Sequence, residues 1–146
     1  MVGKMDLQFE SWFEKTNYPN VIYRGYVENS QLVTYLSHFD IAVCSYATQS
    51  KTIGIEAKYP APTKAGDALA AGCILFCSNH PYLRRIIDNN IGFWFDESNL
   101  GSVMDEIRQL TRSDIDRMKK GVKSYFNNEF CMDKMTDHLF MNLQES

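Results

Sequence analysis

At 146 residues the chain is the size of one domain, enough to bury roughly two-thirds of its unfolded surface. Hydrophobic residues make up 45% and charged residues 23%, and a net charge of −3 argues against nucleic acid as a partner, which calls for a basic patch. The longest nearly apolar run (68–77) is well short of the ~20 residues that span a bilayer, and the first residues lack a signal peptide's apolar core, so the expected location is cytoplasmic.

Taken in chain order, residues 6–15 read as a helix whose apolar side is Leu7, Phe9, Trp12 and Phe13. Asn17-Tyr18-Pro19-Asn20 breaks it, and Val21-Ile22-Tyr23-Arg24 reads as a strand ending at Gly25. Asn29 or Ser30 can cap the next helix, where Leu32, Tyr35, Leu36 and Phe39 recur at helical spacing. Asp40-Ile41-Ala42-Val43-Cys44 is an apolar strand suited to burial on both faces. Residues 45–62 form a polar, proline-punctuated loop, long enough to suggest function.

Thr63 can cap a helix running to Ala71, with Gly72 as its terminator. Cys73-Ile74-Leu75-Phe76-Cys77 is the next buried strand, Pro81 opens a helix that continues through Ile87, and residues 92–95 form a short strand. The remainder is helical, with stripes at Leu100, Val103, Met104, Ile107 and Leu110, then Ile115, Met118, Val122 and Phe126. A last helix is expected over residues 133–143, its apolar Met132, Met135, Leu139, Phe140 and Leu143 serving either its own domain or an interface. Strands alternating with helices predict an α/β fold, a Rossmann-like parallel sheet flanked by helices with a helical C-terminal segment. Ligands in such sheets bind at the carboxyl ends of the strands, here the loops after Arg24, Cys44 and Cys77.

The four cysteines, Cys44, Cys73, Cys77 and Cys131, have no metal-ligand spacing and read as buried thiols. Along one strand, Cys73 and Cys77 would lie roughly 13 Å apart, too far for a disulfide or a shared metal ion. No metal site and no cofactor motif is expected. His38 and His138 are scattered. His80, before Pro81 at a strand-to-helix turn, faces the ligand rim, though a helix-cap role accounts for it better.

The stretch over residues 62–72 is the most informative. A helix N-terminus offers unpaired amides and partial positive charge, and so attracts anions. Lys64 in the first turn opposes that dipole unless an anion sits there, and Gly66 permits close approach to the backbone. Asp67, three residues after Lys64, can accept hydrogen bonds from vicinal hydroxyls. The plainer alternative is an exposed Lys64–Asp67 pair worth a few tenths of a kcal/mol, with Gly66 there for packing.

The pattern Pro62-x-Lys64-x-x-Asp67-x-Leu69-Ala70-x-Gly72, followed by an apolar strand and a polar turn, resembles the donor-site signature of family 4 (group 1) glycosyltransferases, retaining enzymes of the GT-B fold. The resemblance extends over residues 21–143, through Val21 to Val27, the helix before Asp40, and Ile86-Ile87, Asn90, Gly92 and Phe95-Asp96. It implies that residues 1–146 form a partial donor-binding domain, one half of a GT-B fold. The donor would be a nucleoside diphosphate sugar and the acceptor a saccharide or lipid-linked molecule, as in polysaccharide biosynthesis. It implies that Thr63, Lys64, Ala65 and Gly66 hold the diphosphate, Asp67 the ribose, and Tyr26 the base, where a surface tyrosine is the alternative.

Tyr59 stands where the family has an acid that contacts the transferred sugar, and Glu56 is three residues from that position. Nothing before Val21 resembles the family's first strand and its diphosphate-binding cations, although Lys4 and Arg24 are available. The acceptor domain is expected elsewhere, as is any peripheral membrane association, and the isolated chain is expected to be inactive. Two other readings stand beside it: a degenerate nonenzymatic module that binds nucleotide or a partner, and a receiver-like domain, which would want acids at the ends of its strands.

Overall fold

The three apolar runs that open at residues 41, 74 and 92 pair side by side as one parallel sheet. The chain is seen in a computed structural model that describes residues 7–16, 19–45 and 63–130. Strand β1 (Ile41–Cys44) pairs with β2 (Ile74–Ser78), Ile41 opposite Ile74 and Cys44 opposite Cys77. Strand β3 (Gly92–Phe95) lies on the other side of β2, with Leu75 opposite Gly92 and Ser78 opposite Phe95. The order is β1-β2-β3, so β2 is central, and every residue of it is buried.

Six α-helices surround the sheet among the described residues: α1 (Leu7–Thr16), α2 (Asn29–Leu36), α3 (Thr63–Ala70), α4 (Pro81–Ile87), α5 (Leu100–Arg108) and α6 (Arg112–Tyr125). A π-helical turn, Phe126–Phe130, continues α6. This is the α/β, Rossmann-like architecture that the alternation of strand and helix implied.

Side chains alternate across a strand, so Ala42, Cys44, Leu75, Cys77 and Trp94 share one face of the sheet. Helix α4 covers that face at β3, where the Arg84 guanidinium sits 4.3 Å from the centre of the Trp94 ring. On the opposite face the Phe76 and Phe95 rings meet at 4.5 Å. Leu69, Ile74, Leu75, Leu83, Ile91 and Val122 are fully buried and tie α3, α4, α6 and the sheet into one core. Gly92 is required by the sheet itself, because a Cβ there would stand 2.5 Å from the Leu75 carbonyl oxygen.

Helix ends follow local chemistry. Gly72 has φ +74°, its N–H donates to Leu69 O, and the Cys73 N–H donates to Ala68 O. That paired arrangement is a Schellman stop, and it confirms Gly72 as the terminator. Helix α6 begins with a capping box in which Thr111 and Asp114 each satisfy the other's backbone N–H. Glu28, not Asn29 or Ser30, occupies the N-cap position of α2, and its side chain makes no cap hydrogen bond.

Two sequence expectations require correction. Residues 21–24 are not a strand: residues 21–28 are irregular, and Val21 and Ile22 are 42% and 58% exposed. An apolar run becomes a strand only where a neighbour completes its hydrogen bonds, and among the described residues β1 pairs with β2 alone. Nor is β1 buried on both faces: Val43, on the face it shares with Phe76 and Phe93, is 65% exposed. The expected last helix, Cys131 and His138 lie outside the described residues.

Candidate functional site

Helix α3 carries the residues singled out by sequence. Ala65, Ala68 and Leu69 recur at i, i+3 and i+4 and are buried, at 1%, 1% and 0% exposure. That stripe pins α3 to the sheet and turns Thr63 and Lys64 outward, with Asp67 half-buried between. Ala65 therefore offers a ligand only its backbone.

Cys44 reveals where this first turn stands. Burial pushes its thiol up to about 11; the Lys64 ammonium pulls it the other way, and Cys73 and the Asp67 carboxylate add to the rise. Both α3 charges thus act on the last residue of β1. Helix α3 packs beside β1, and the carboxyl ends of parallel strands are where open α/β sheets bind their ligands. Sequence reasoning treated Cys44 as a core thiol only. The charges of α3 reach it because α3 packs against β1, a long-range contact that no local motif encodes.

The structure brings Thr63, Lys64, Ala65, Gly66 and Asp67 together on one turn, and leaves Tyr26 on the segment leading into α2. Tyr26 is 52% exposed and follows Gly25, whose φ of +74° turns the chain. Gly66 has a packing reason: a Cβ there would stand 3.2 Å from Phe130 Cε1. Tyr59 and Glu56 lie outside the described residues.

The neighbouring rim is built from β2 and β3. The Asn79 N–H donates to Phe95 O at 2.8 Å, and Asn79 Nδ2 donates to Asp96 Oδ2 at 3.4 Å. Asp96 also accepts from the Ser98 hydroxyl, the Ser98 N–H and the Asn99 N–H, and these bonds, that of the hydroxyl foremost, lower its carboxyl below the ordinary value. A fixed Asx turn results, legible in advance as Asp-x-Ser-Asn. His80 sits at the N-cap position of α4 and is buried at 1% exposure, yet its side chain makes no cap hydrogen bond. His80 thus takes the expected cap position without a capping hydrogen bond from its imidazole, and Pro81 opens the helix.

Asp40 precedes β1 and faces α6. Lys119 Nζ donates to Asp40 Oδ1 at 3.1 Å, and Arg112 donates to Oδ2 at 2.9 Å. The acid therefore serves the amino end of the sheet, which disfavours a receiver-like site. Among the described residues, no group of three or more His, Cys, Asp or Glu could hold a metal ion, and no helix is long and apolar enough to cross a membrane.

Compared with known proteins, residues 1–125 match the family model described as glycosyl transferases group 1. The match begins before Val21, where the resemblance had started, and stops at the end of α6. No curated protein and no solved structure gives a significant match.

Proposed function

Because this chain belongs to the group 1 glycosyl transferases, we propose that the first turn of α3 holds the diphosphate of a nucleoside diphosphate sugar. The sugar would be transferred, with retained configuration, to a saccharide or lipid-linked acceptor. The observation that carries the reading is the seating of α3 beside β1 by its buried Ala65, Ala68 and Leu69, which leaves Thr63 and Lys64 exposed at the first turn.

The chemistry is electrostatic. The first-turn amides from Thr63 to Gly66 point toward an anion and share the positive end of the helix dipole. Lys64 adds a full charge, which steadies the diphosphate both in the bound donor and as it leaves with the electrons of the glycosidic bond. Asp67, one turn along the same side, accepts hydrogen bonds from the two ribose hydroxyls. Tyr26 stacks on the base from the segment before α2. Acceptor recognition falls to a second domain outside residues 1–146, and with it any contact to membrane lipid. The same binding without transfer is a second reading, favoured by Tyr59 standing where the family has an acid.

Titration of uridine and guanosine diphosphates into the full chain, followed by amide NMR, tests the proposal. Shifts centred on residues 63–67 and Tyr26 are expected; no response at millimolar nucleotide would sink it. Lys64→Ala removes a charge-assisted contact and should weaken diphosphate binding roughly tenfold to a hundredfold. Nucleoside binding should change far less, and equal losses would rule out a phosphate role for Lys64.

A further inference from the structure

Helix α3 is eight residues long, too short to hold its own position in water, so packing must set where its first turn lies. Two contacts with the α6 arm stand out. A Cβ on Gly72, at the end of α3, would meet the Lys123 side chain at 3.0 Å, and a Cβ on Gly66 would meet Phe130 Cε1 at 3.2 Å. The numbering falls along α3 as it rises along α6, so the two run in opposite senses. The contacts are about 9 Å apart along α3 and about 10 Å along the arm, at ~1.5 Å per residue, so the lengths agree.

The π turn explains how Phe130 reaches that place. Ile115, Met118, Val122, Phe126 and Phe130 continue one apolar stripe, and all pack in or on the core. A 3.6-residue helix drifts about 40° at each i+4 step, which would carry residue 130 away from the line of Val122. The wider winding of Phe126–Phe130 offsets that drift. The arm is itself anchored by the capping box at Thr111, the ion pairs to Asp40 and the buried Val122.

We propose that Phe130 is a positioning residue for the donor site: seated against Gly66, it fixes the first turn of α3 at the height where its amides meet the diphosphate. A side chain on Gly66 would crowd the Phe130 ring, which would have to give by a few tenths of an ångström. The inference rests on the donor reading of α3, and Phe130 lies beyond the residues that match the family model.

A mutant cycle on the full chain tests it, with whichever of uridine and guanosine diphosphate the wild type binds. Gly66→Ala forces ring and helix apart and should weaken nucleotide roughly tenfold, with apo amide shifts confined to residues 63–70 and 126–130. Phe130→Leu alone should weaken nucleotide about threefold, since a smaller side chain seats α3 less firmly, and the double variant should recover to that level, because it leaves room for the methyl. If Gly66→Ala binds as the wild type does, Phe130 yields without moving α3 and the inference is wrong. If the loss persists in the double variant, the methyl obstructs the ligand itself, which also overturns it. A wild-type chain that binds neither nucleotide overturns the donor reading and this inference together; binding without rescue overturns the inference alone.

Discussion

Two apolar segments of similar composition meet opposite fates. Ile74-Leu75-Phe76-Cys77 lies between two neighbours and is buried along its whole length. Val21-Ile22-Tyr23-Arg24 has the same β-branched and aromatic character, yet it is irregular and open to solvent. Strand composition records a capacity for burial, whereas the sheet order decides which segment realises it. β1 stands between the two, paired on one edge and exposed at Val43.

The sharpest test of that contrast is Leu75→Ala. Leu75 is fully buried in the central strand, so the truncation removes apolar burial and leaves a cavity that β1 and β3 cannot collapse into. A loss of about 2–5 kcal/mol in denaturant unfolding is expected. A loss below about 1 kcal/mol would mean that the core is looser than its burial indicates.

A middle-sized effect is expected at β1, which among the described residues pairs with β2 alone. Its amino end is tied to α6 through Asp40, which accepts from Lys119 and Arg112. The hydrogen bond from Lys119, followed by the two cationic charges, lowers the Asp40 carboxyl from its ordinary 3.8 against an opposing contribution from burial. A depressed carboxyl contributes stability that is fully present above pH 3.8 and lost as pH falls through the folded-state value. The acid is 37% exposed, so solvent screening limits the gain. Asp40→Asn should cost roughly 0.5–1 kcal/mol at pH 7. Unfolding curves recorded down to pH 3 should show the variant and wild type converging as the acid protonates; a constant gap would assign the loss to packing instead.

The same contrast explains what was legible beforehand. The helix stripes at Ile107 and Val122, the Gly72 stop and the buried run at Ile74 are written within a few residues, and each was read correctly. The failures at Val21 and Val43 concern neighbours far along the chain, which periodicity does not encode. The site divides the same way. Lys64 and Asp67 can be put forward from sequence because a helix start concentrates its chemistry in one turn. The seat of Phe130 on Gly66 was not, since it joins residues 64 apart through a change of helical winding. Its one local sign was the continuation of the α6 stripe from Val122 and Phe126.

The smallest predicted effect is the most direct challenge to the comparison. Ile22 is 58% exposed and belongs to no ladder, so Ile22→Ala removes apolar surface that is largely wet already. Its cost in denaturant unfolding should stay within about 0.5 kcal/mol. A loss of several kcal/mol would show that Ile22 is packed in solution as a strand residue is. The two segments would then differ only in position, residues 74–77 at the centre of the sheet and residues 21–24 at its edge.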